Sequence, residues 1–221
     1  MCGIAGLIPR QAGSSYEHVA CVESMLEVMQ HRGPDGRQVH RYGSCILGHA
    51  RLSIIDLQNG DQPLHNATNS VHLICNGEIY GYRPLLEAAR HRREVLTNSD
   101  CEVLLHTYLE RPHAGFSDGL NGMYAYCLFD EDRHRILLGV DDLGIKPLYY
   151  VETPNYLLFA SELRSLLSGM AMLKVPISVD QEALQLFLHA GRFDATAGPI
   201  QGVMKFRPGQ TIEIDVRSSK L

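Results

Sequence analysis

No segment of this 221-residue chain approaches the ~20 consecutive apolar residues that a membrane-spanning helix needs. The N-terminus also lacks a basic region followed by an apolar stretch of signal length, so the expectation is a soluble, cytoplasmic chain with no membrane contact. Basic runs interleaved with aromatics are missing, and the formal net charge is -5, which removes the electrostatic footprint of a nucleic-acid binder. Eleven histidines are present, but there is no H-E-x-x-H and no clustered Cys/His spacing, so no metal site is indicated. The six cysteines, Cys2, Cys21, Cys45, Cys75, Cys101 and Cys127, form no C-x-x-C pair and read as reduced thiols. Cys45, Cys75 and Cys127 lie in apolar, strand-like runs where a thiol serves as a small hydrophobe. Internal repeats and low-complexity tracts are absent as well.

What is present is enough apolar material, 45%, to bury one sizeable core. "GIAGLI" at 3–8 reads as a short buried strand, and Ser14 with Glu17 reads as a capping box ahead of a helix carrying Val19, Val22, Leu26 and Met29 at helical spacing. "HRGPDG" breaks that helix. Strands follow around 45–50 and 71–76, then at "MYAYCLFD", "RILLGV", "PLYYV" and "NYLLFA", with "DEDR" and "ETPN" as hairpin turns of an antiparallel sheet. Helices are expected at "RPLLEAARHR", "SDCEVLLHTYLER", "SELRSLL" and "DQEALQLFLHA". Grouped strands and grouped helices indicate an α+β fold rather than a βαβ repeat.

The chemistry gathers around Cys2. Were Met1 removed, a free α-amine would stand beside its own thiol. The ordinary pKa values are about 7.7–8.0 for the amine and about 8.5 for the thiol, so moving the proton from sulfur to nitrogen costs only about 1 kcal/mol. With Met1 in place the nitrogen is an amide, and Cys2 is an ordinary thiol. Arg51, at the end of an apolar stretch, can fork onto a carboxylate or simply form a surface ion pair. Asn76 and Gly77 can aim a side-chain amide and a backbone N–H at one oxygen, or form a hairpin turn, for which Asn-Gly is the strongest short signal. Ser99 and Glu102 read as a capping box with Asp100 in the first helical turn. There a carboxylate serves the helix or, together with Arg51, grips the ammonium end of an amino acid.

Taken together, "CGIAG", "HRGPDG", "ARLSIIDL", "QPL", "NGEIY", "SDCEVLL", "GMYAYCLFD", "LGIKPLYY" and "FASEL" resemble, in order and rough spacing, the N-terminal glutaminase domain of glutamine-hydrolysing asparagine synthetases. These are class II glutamine amidotransferases of the N-terminal-nucleophile hydrolase type. "RLSIID" with "SDCE" sets this branch apart from the sugar-amine and purine-pathway amidotransferases, and "RPGQTIEID" resembles the family's Pro-Gly hairpin. The resemblance implies an αββα four-layer sandwich of two mostly antiparallel sheets over residues 1–217, with 218–221 as a tail. It makes Cys2 the nucleophile and Asn76 and Gly77 the oxyanion stabilisers. The α-carboxylate of glutamine falls to Arg51, with Leu52, Ser53, Ile54 and Ile55 lining the pocket, and its α-ammonium to Asp100 with Glu78 nearby. No cofactor or metal is implied for glutamine hydrolysis. ATP and magnesium belong to a synthetase domain, whose Ser-Gly-Gly-x-Asp-Ser loop this sequence lacks.

Two departures accompany the resemblance. Gly81 stands where the family usually has Asn, removing an amide expected close to the pocket. Val140 and Asp142 stand where arginines are usual, which alters charges expected to face a partner or support the pocket. The expected partner is a synthetase domain or subunit that accepts ammonia, with this chain either a free-standing subunit or part of a longer polypeptide. The competing readings are a catalytically silent interaction module of the same fold and a thiol-dependent hydrolase of another amide.

Overall fold

A computed structural model describes residues 1–10, 15–43, 45–193, 196 and 198–217. The expected capping Ser14 and the 218–221 tail lie outside the described residues. Eleven strands and five α-helices follow one another in the described chain. The first half contains β1 (Gly3–Pro9), α1 (Tyr16–Val28), β2 (Gly36–Tyr42), β3 (Cys45–Arg51), β4 (Leu64–His65), β5 (Val71–Ile79), α2 (Tyr82–Arg90) and α3 (Glu102–Glu110). The second contains β6 (Gly122–Asp130), β7 (Arg135–Val140), β8 (Tyr149–Glu152), β9 (Tyr156–Ala160), α4 (Leu163–Met172), α5 (Gln181–Ala190), β10 (Val203–Lys205) and β11 (Thr211–Asp215).

The strands form a six-stranded sheet ordered β10-β8-β9-β1-β3-β2 and a five-stranded sheet ordered β11-β7-β6-β5-β4, and every strand pair is antiparallel. Alternate side chains on each strand therefore face opposite layers. Ile4, Leu47, Ile74, Cys127, Phe129 and Leu138 fill the space between the sheets. Outside the first sheet, Val22, Met25 and Leu26 of α1 meet Leu166 and Met170 of α4 over Leu7 and Leu158. Outside the second, Val103, Leu104 and Tyr108 of α3 and Leu86 of α2 cover Leu73, Tyr124 and Tyr126. The result is an αββα sandwich, as the resemblance implied, in the α+β class that the grouping of strands and helices indicated.

Several local expectations need correction. Asn76 and Gly77 lie inside β5, paired with Ala125 and Tyr124 of β6, rather than in a hairpin turn; pairing along the whole strand outweighs the local turn preference. The Ser99/Glu102 capping box does not form. Helix α3 starts at Glu102 with Cys101 at the cap, and Asp100 precedes it in a turn. The Glu102 carboxylate instead accepts hydrogen bonds from the N–H groups of Leu96 (2.8 Å) and Thr97 (2.7 Å). Nor is "RPGQTIEID" part of a hairpin: β10 pairs with β8 in one sheet and β11 with β7 in the other, so Pro208 and Gly209 carry the chain across the sandwich. By contrast, β6 with β7 and β8 with β9 are antiparallel neighbours, as "DEDR" and "ETPN" suggested.

The "HRGPDG" segment does more than end α1. Asp35 N–H donates to Arg51 O at 3.0 Å, and Ser53 N–H donates to Asp35 Oδ2 at 2.7 Å, so the turn clasps the end of β3. Gly33 makes the clasp possible, because a Cβ there would lie 2.2 Å from the backbone carbon of Ala50. We expect Gly33→Ala to lower stability by about 1–3 kcal/mol, the usual range for overpacking against an immovable neighbour. Urea unfolding monitored by circular dichroism measures it.

Candidate active site

Strand β1 runs between β3 and β9 in the middle of its sheet, so the residue before it, Cys2, is delivered to the end of a central strand. Three contacts fix that end. Ile4 N–H donates to Ser161 Oγ at 3.0 Å, Ser161 N–H donates to Ile4 O at 2.9 Å, and Arg32 Nε donates to Cys2 O at 2.8 Å. Arg32 in turn donates from Nη1 to Glu162 Oε1 at 3.0 Å, and His31 and Arg164 also bond that carboxylate. Burial acts to raise the Glu162 carboxyl, but the hydrogen bonds from Arg164, Arg32 and His31 hold it down to about 2.

An open cavity of about 660 Å³, counting its mouth, begins at this strand end. Cys2, Arg51, Leu52, Ile54, Ile55, Asn76, Gly77, Glu78 and Asp100 all line it. Cys2 precedes β1, Arg51 ends β3 and Leu52, Ile54 and Ile55 follow it, all at the first sheet, whereas Asn76, Gly77 and Glu78 lie on β5 of the second and Asp100 at the corner before α3, so the stacking of the two sheets brings them together. Ser53 does not join them: its N–H is committed to Asp35.

The Cys2 Sγ accepts a hydrogen bond from Leu52 N–H at 3.3 Å and lies 3.5 Å from Leu52 O. Burial pushes the Cys2 thiol up, against the pull of that N–H, so with Met1 attached the sulfur is a protonated thiol at neutral pH. Asn76 is buried, and its Nδ2 has no hydrogen-bond partner among the described residues. A buried donor left open costs stability, and one lining a cavity is set to bind an oxygen there. Gly77 lets β6 pass close, since a Cβ would lie 2.5 Å from Met123 O.

Arg51 is buried and already engaged on one side. Its Nη1 meets Asp61 Oδ1 at 2.7 Å and its Nη2 donates to Asp56 O at 2.6 Å. These bonds orient the guanidinium from the loop side, so the surface-ion-pair alternative describes only half of its environment. Asp100 Oδ2 accepts from Ile79 N–H at 2.8 Å. Burial raises its carboxyl, opposed by the surrounding backbone N–H groups.

The two departures sit elsewhere. Gly81 has φ +65° at the start of α2, a left-handed conformation that Gly and Asn tolerate best. It does not line the cavity, and open space surrounds its Cβ position, so the missing amide alters a helix entrance rather than the pocket wall. Val140 is 4% exposed and packs between the sheets, whereas Asp142 is exposed; neither lines the cavity.

Sequence reasoning missed four neighbours. Arg32 was hidden in a segment read as a helix breaker. Gln62 accepts from Cys75 N–H at 2.6 Å. His49 lines the cavity with its Nε2 unpartnered, and burial drives it down to about 4, so the ring is neutral. Lys146 lines the same cavity. The signal for His49 was its position two residues before Arg51 on β3, hence on the same face.

The αββα fold is shared with two solved chains, a Bacillus subtilis glutamine phosphoribosylpyrophosphate amidotransferase complexed with ADP and GMP (TM-score 0.65, 19% identity) and an allosteric regulatory enzyme of purine biosynthesis (TM-score 0.68, 18% identity). Each overlay covers 97% of this chain and 47% of the other. The chain belongs to the glutamine amidotransferase domain family, whose model matches residues 1–220. It is similar to a glutamine-hydrolysing asparagine synthetase 2 of Bacillus subtilis, 41% identical over 76% of this chain and 22% of the relative. It is also similar to asparagine synthetase B of Escherichia coli, 38% identical over 75% of this chain and 30% of the relative. The amidase chry2 of Gibberella zeae is 35% identical over 95% of this chain and 32% of the relative. The chain thus spans between a fifth and a third of the length of these relatives.

The clasp on Cys2 carries a pH signature. Because Glu162 is held below its unfolded value of about 4.3, its contribution is full above that pH and is lost as pH falls toward 2. Glu162→Gln is therefore expected to be less stable than the parent at pH 7, with the difference closing between about pH 4.3 and 2, read by urea unfolding across that range.

Proposed function

We propose that residues 1–217 form a glutamine-hydrolysing unit that acts through Cys2 after removal of Met1. The observation that carries the reading is the convergence on one cavity of a strand-end thiol, an unpartnered Asn76 amide, the Arg51 guanidinium and the Asp100 carboxylate. Arg51 and Asp100, with Glu78 beside it, suit the carboxylate and ammonium ends of an amino acid. Its side-chain amide then reaches toward Cys2.

In this reading the exposed α-amine of Cys2 takes the thiol proton, and Sγ attacks the amide carbon to give a tetrahedral oxyanion held by Asn76 Nδ2 and Gly77 N–H. The α-ammonium returns the proton to the departing nitrogen, the C–N bond breaks, and ammonia leaves behind a γ-glutamyl thioester. Water, deprotonated by the same amine, attacks the thioester, releasing glutamate and restoring the thiol. The raised thiol of the Met1-bearing chain supports assigning the base to the mature terminus. No metal or cofactor enters this sequence.

The asparagine synthetase relatives support an acceptor for the ammonia in a synthetase domain or subunit, and ATP and magnesium belong to that part. The unit is proposed to work in the cytoplasm; no helix among the described residues is long and apolar enough to cross a membrane.

Processed protein, verified by intact mass to begin at Cys2, is expected to release glutamate from glutamine, and Cys2→Ala to abolish release. Turnover that survives the substitution would refute the assignment. Asn76→Ala should lower kcat by about 100-fold to 1,000-fold, the usual effect of losing one oxyanion donor, in a glutamate-release assay. Asparagine, one methylene shorter, should be a poor substrate in the same assay.

A further inference from the structure

Lys146 is a charged residue that the reading above leaves without a task. It is 5% exposed, and its only side-chain partner among the described residues is a thioether, Met1 Sδ at 3.2 Å. A cation withdrawn from water without a counter-ion is costly, so such a residue invites a functional explanation. Its position is also fixed. The Asp141 carboxylate accepts hydrogen bonds from the N–H groups of Lys146 (3.2 Å), Ile145 (3.0 Å), Leu143 (3.1 Å) and Tyr124 (3.1 Å), tying the loop between β7 and β8 to the second sheet.

The one partner of this lysine belongs to the residue that must depart before Cys2 has a free amine. Removing Met1 leaves the Lys146 side chain unpaired and opens, on the same cavity wall, a new amine one residue away. The remaining groups around Cys2 are largely balanced. Arg32, from the loop after α1, is paired with Glu162 from the start of α4. Arg51, at the end of β3, is paired with Asp61. His49 of β3 is neutral, and Cys75 of β5 and Cys101 at the cap of α3 are buried thiols. Glu78 of β5 and Asp100 before α3 are the cavity's unpaired carboxyls, and negative charge there would hold a neighbouring amine in its protonated, inactive form.

We propose that Lys146 is a positioning residue whose uncompensated positive charge offsets Glu78 and Asp100, keeping the mature Cys2 α-amine in the free-base form able to accept the thiol proton. The proposal rests on the reading of Cys2 as nucleophile. The carboxyls that attract a substrate's ammonium would otherwise disable the base beside them, and a fixed cation lining the same cavity separates the two tasks.

The test is the pH dependence of glutamate release by the processed protein, its Lys146→Met variant and its Lys146→Arg variant. Lys146→Met keeps the aliphatic stem and removes the charge. Its acidic limb should move up by about half a pH unit or more, so that rates below the limb fall about threefold or more while the alkaline plateau changes far less. Lys146→Arg should keep the parental limb. The pH dependence of Cys2 alkylation by iodoacetamide should shift in the same direction, and this readout needs no turnover. A uniform loss at every pH with the limb unmoved, or Lys146→Arg shifting as Lys146→Met does, overturns the proposal. Should Lys146→Met fail to fold, Lys146→Gln carries the same comparison. If the processed protein does not hydrolyse glutamine yet the alkylation limb still moves, the substrate reading fails and the role of Lys146 stands.

Discussion

The site depends on holding a chain terminus still. Termini usually fray, because their backbone groups have few partners, yet the proposed chemistry needs sulfur and nitrogen of the first mature residue in one fixed relation. The fold answers by making the following seven residues, Gly3–Pro9, an interior strand with neighbours on both edges. Arg32 then grips the carbonyl of Cys2 itself. Cys2 thereby inherits the rigidity of the sheet, and in the proposed chemistry the base beside its sulfur is part of the same residue.

Around this fixed end the cavity divides its polar groups into satisfied and waiting ones. Arg51 is oriented by Asp61 and the Asp56 carbonyl, Asp100 by the Ile79 N–H, and Cys2 by Leu52 N–H. Asn76 Nδ2 and His49 Nε2 have no hydrogen-bond partner among the described residues. Buried polar groups normally find partners, so two exceptions lining one cavity mark where the protein expects something other than itself. Preorganised donors of this kind stabilise developing charge without rearranging during the reaction.

Much of this was legible in the sequence, and the failures share a cause. Long apolar runs announced the interior strands, and the 3.6-residue spacing of Val19, Val22, Leu26 and Met29 announced α1. Strand β2 passed unnoticed because Gly36–Tyr42 is an edge strand with no buried residue among its seven, leaving no clean alternation to read. Asn76-Gly77 looked like a turn because local preference was the only evidence, whereas nine paired residues between β5 and β6 decide the matter. The residues named for the site do line one cavity, Ser53 excepted; His49 was readable from its i, i+2 spacing to Arg51, but Arg32 and Lys146 were beyond reach. Their importance comes from contacts in space, of Arg32 with Cys2 and of Lys146 with Met1, and no spacing along the chain encodes it.

The crossing at Pro208-Gly209 has a mechanical consequence. Since β10 lies on the outer edge of one sheet and β11 on the outer edge of the other, a five-residue link stitches the two halves of the sandwich along one side. Prying the layers apart there would mean peeling an edge strand from one of them. The stitched side therefore resists separation of the two layers more than the opposite side, where β2 and β4 are edge strands that no comparable link joins among the described residues.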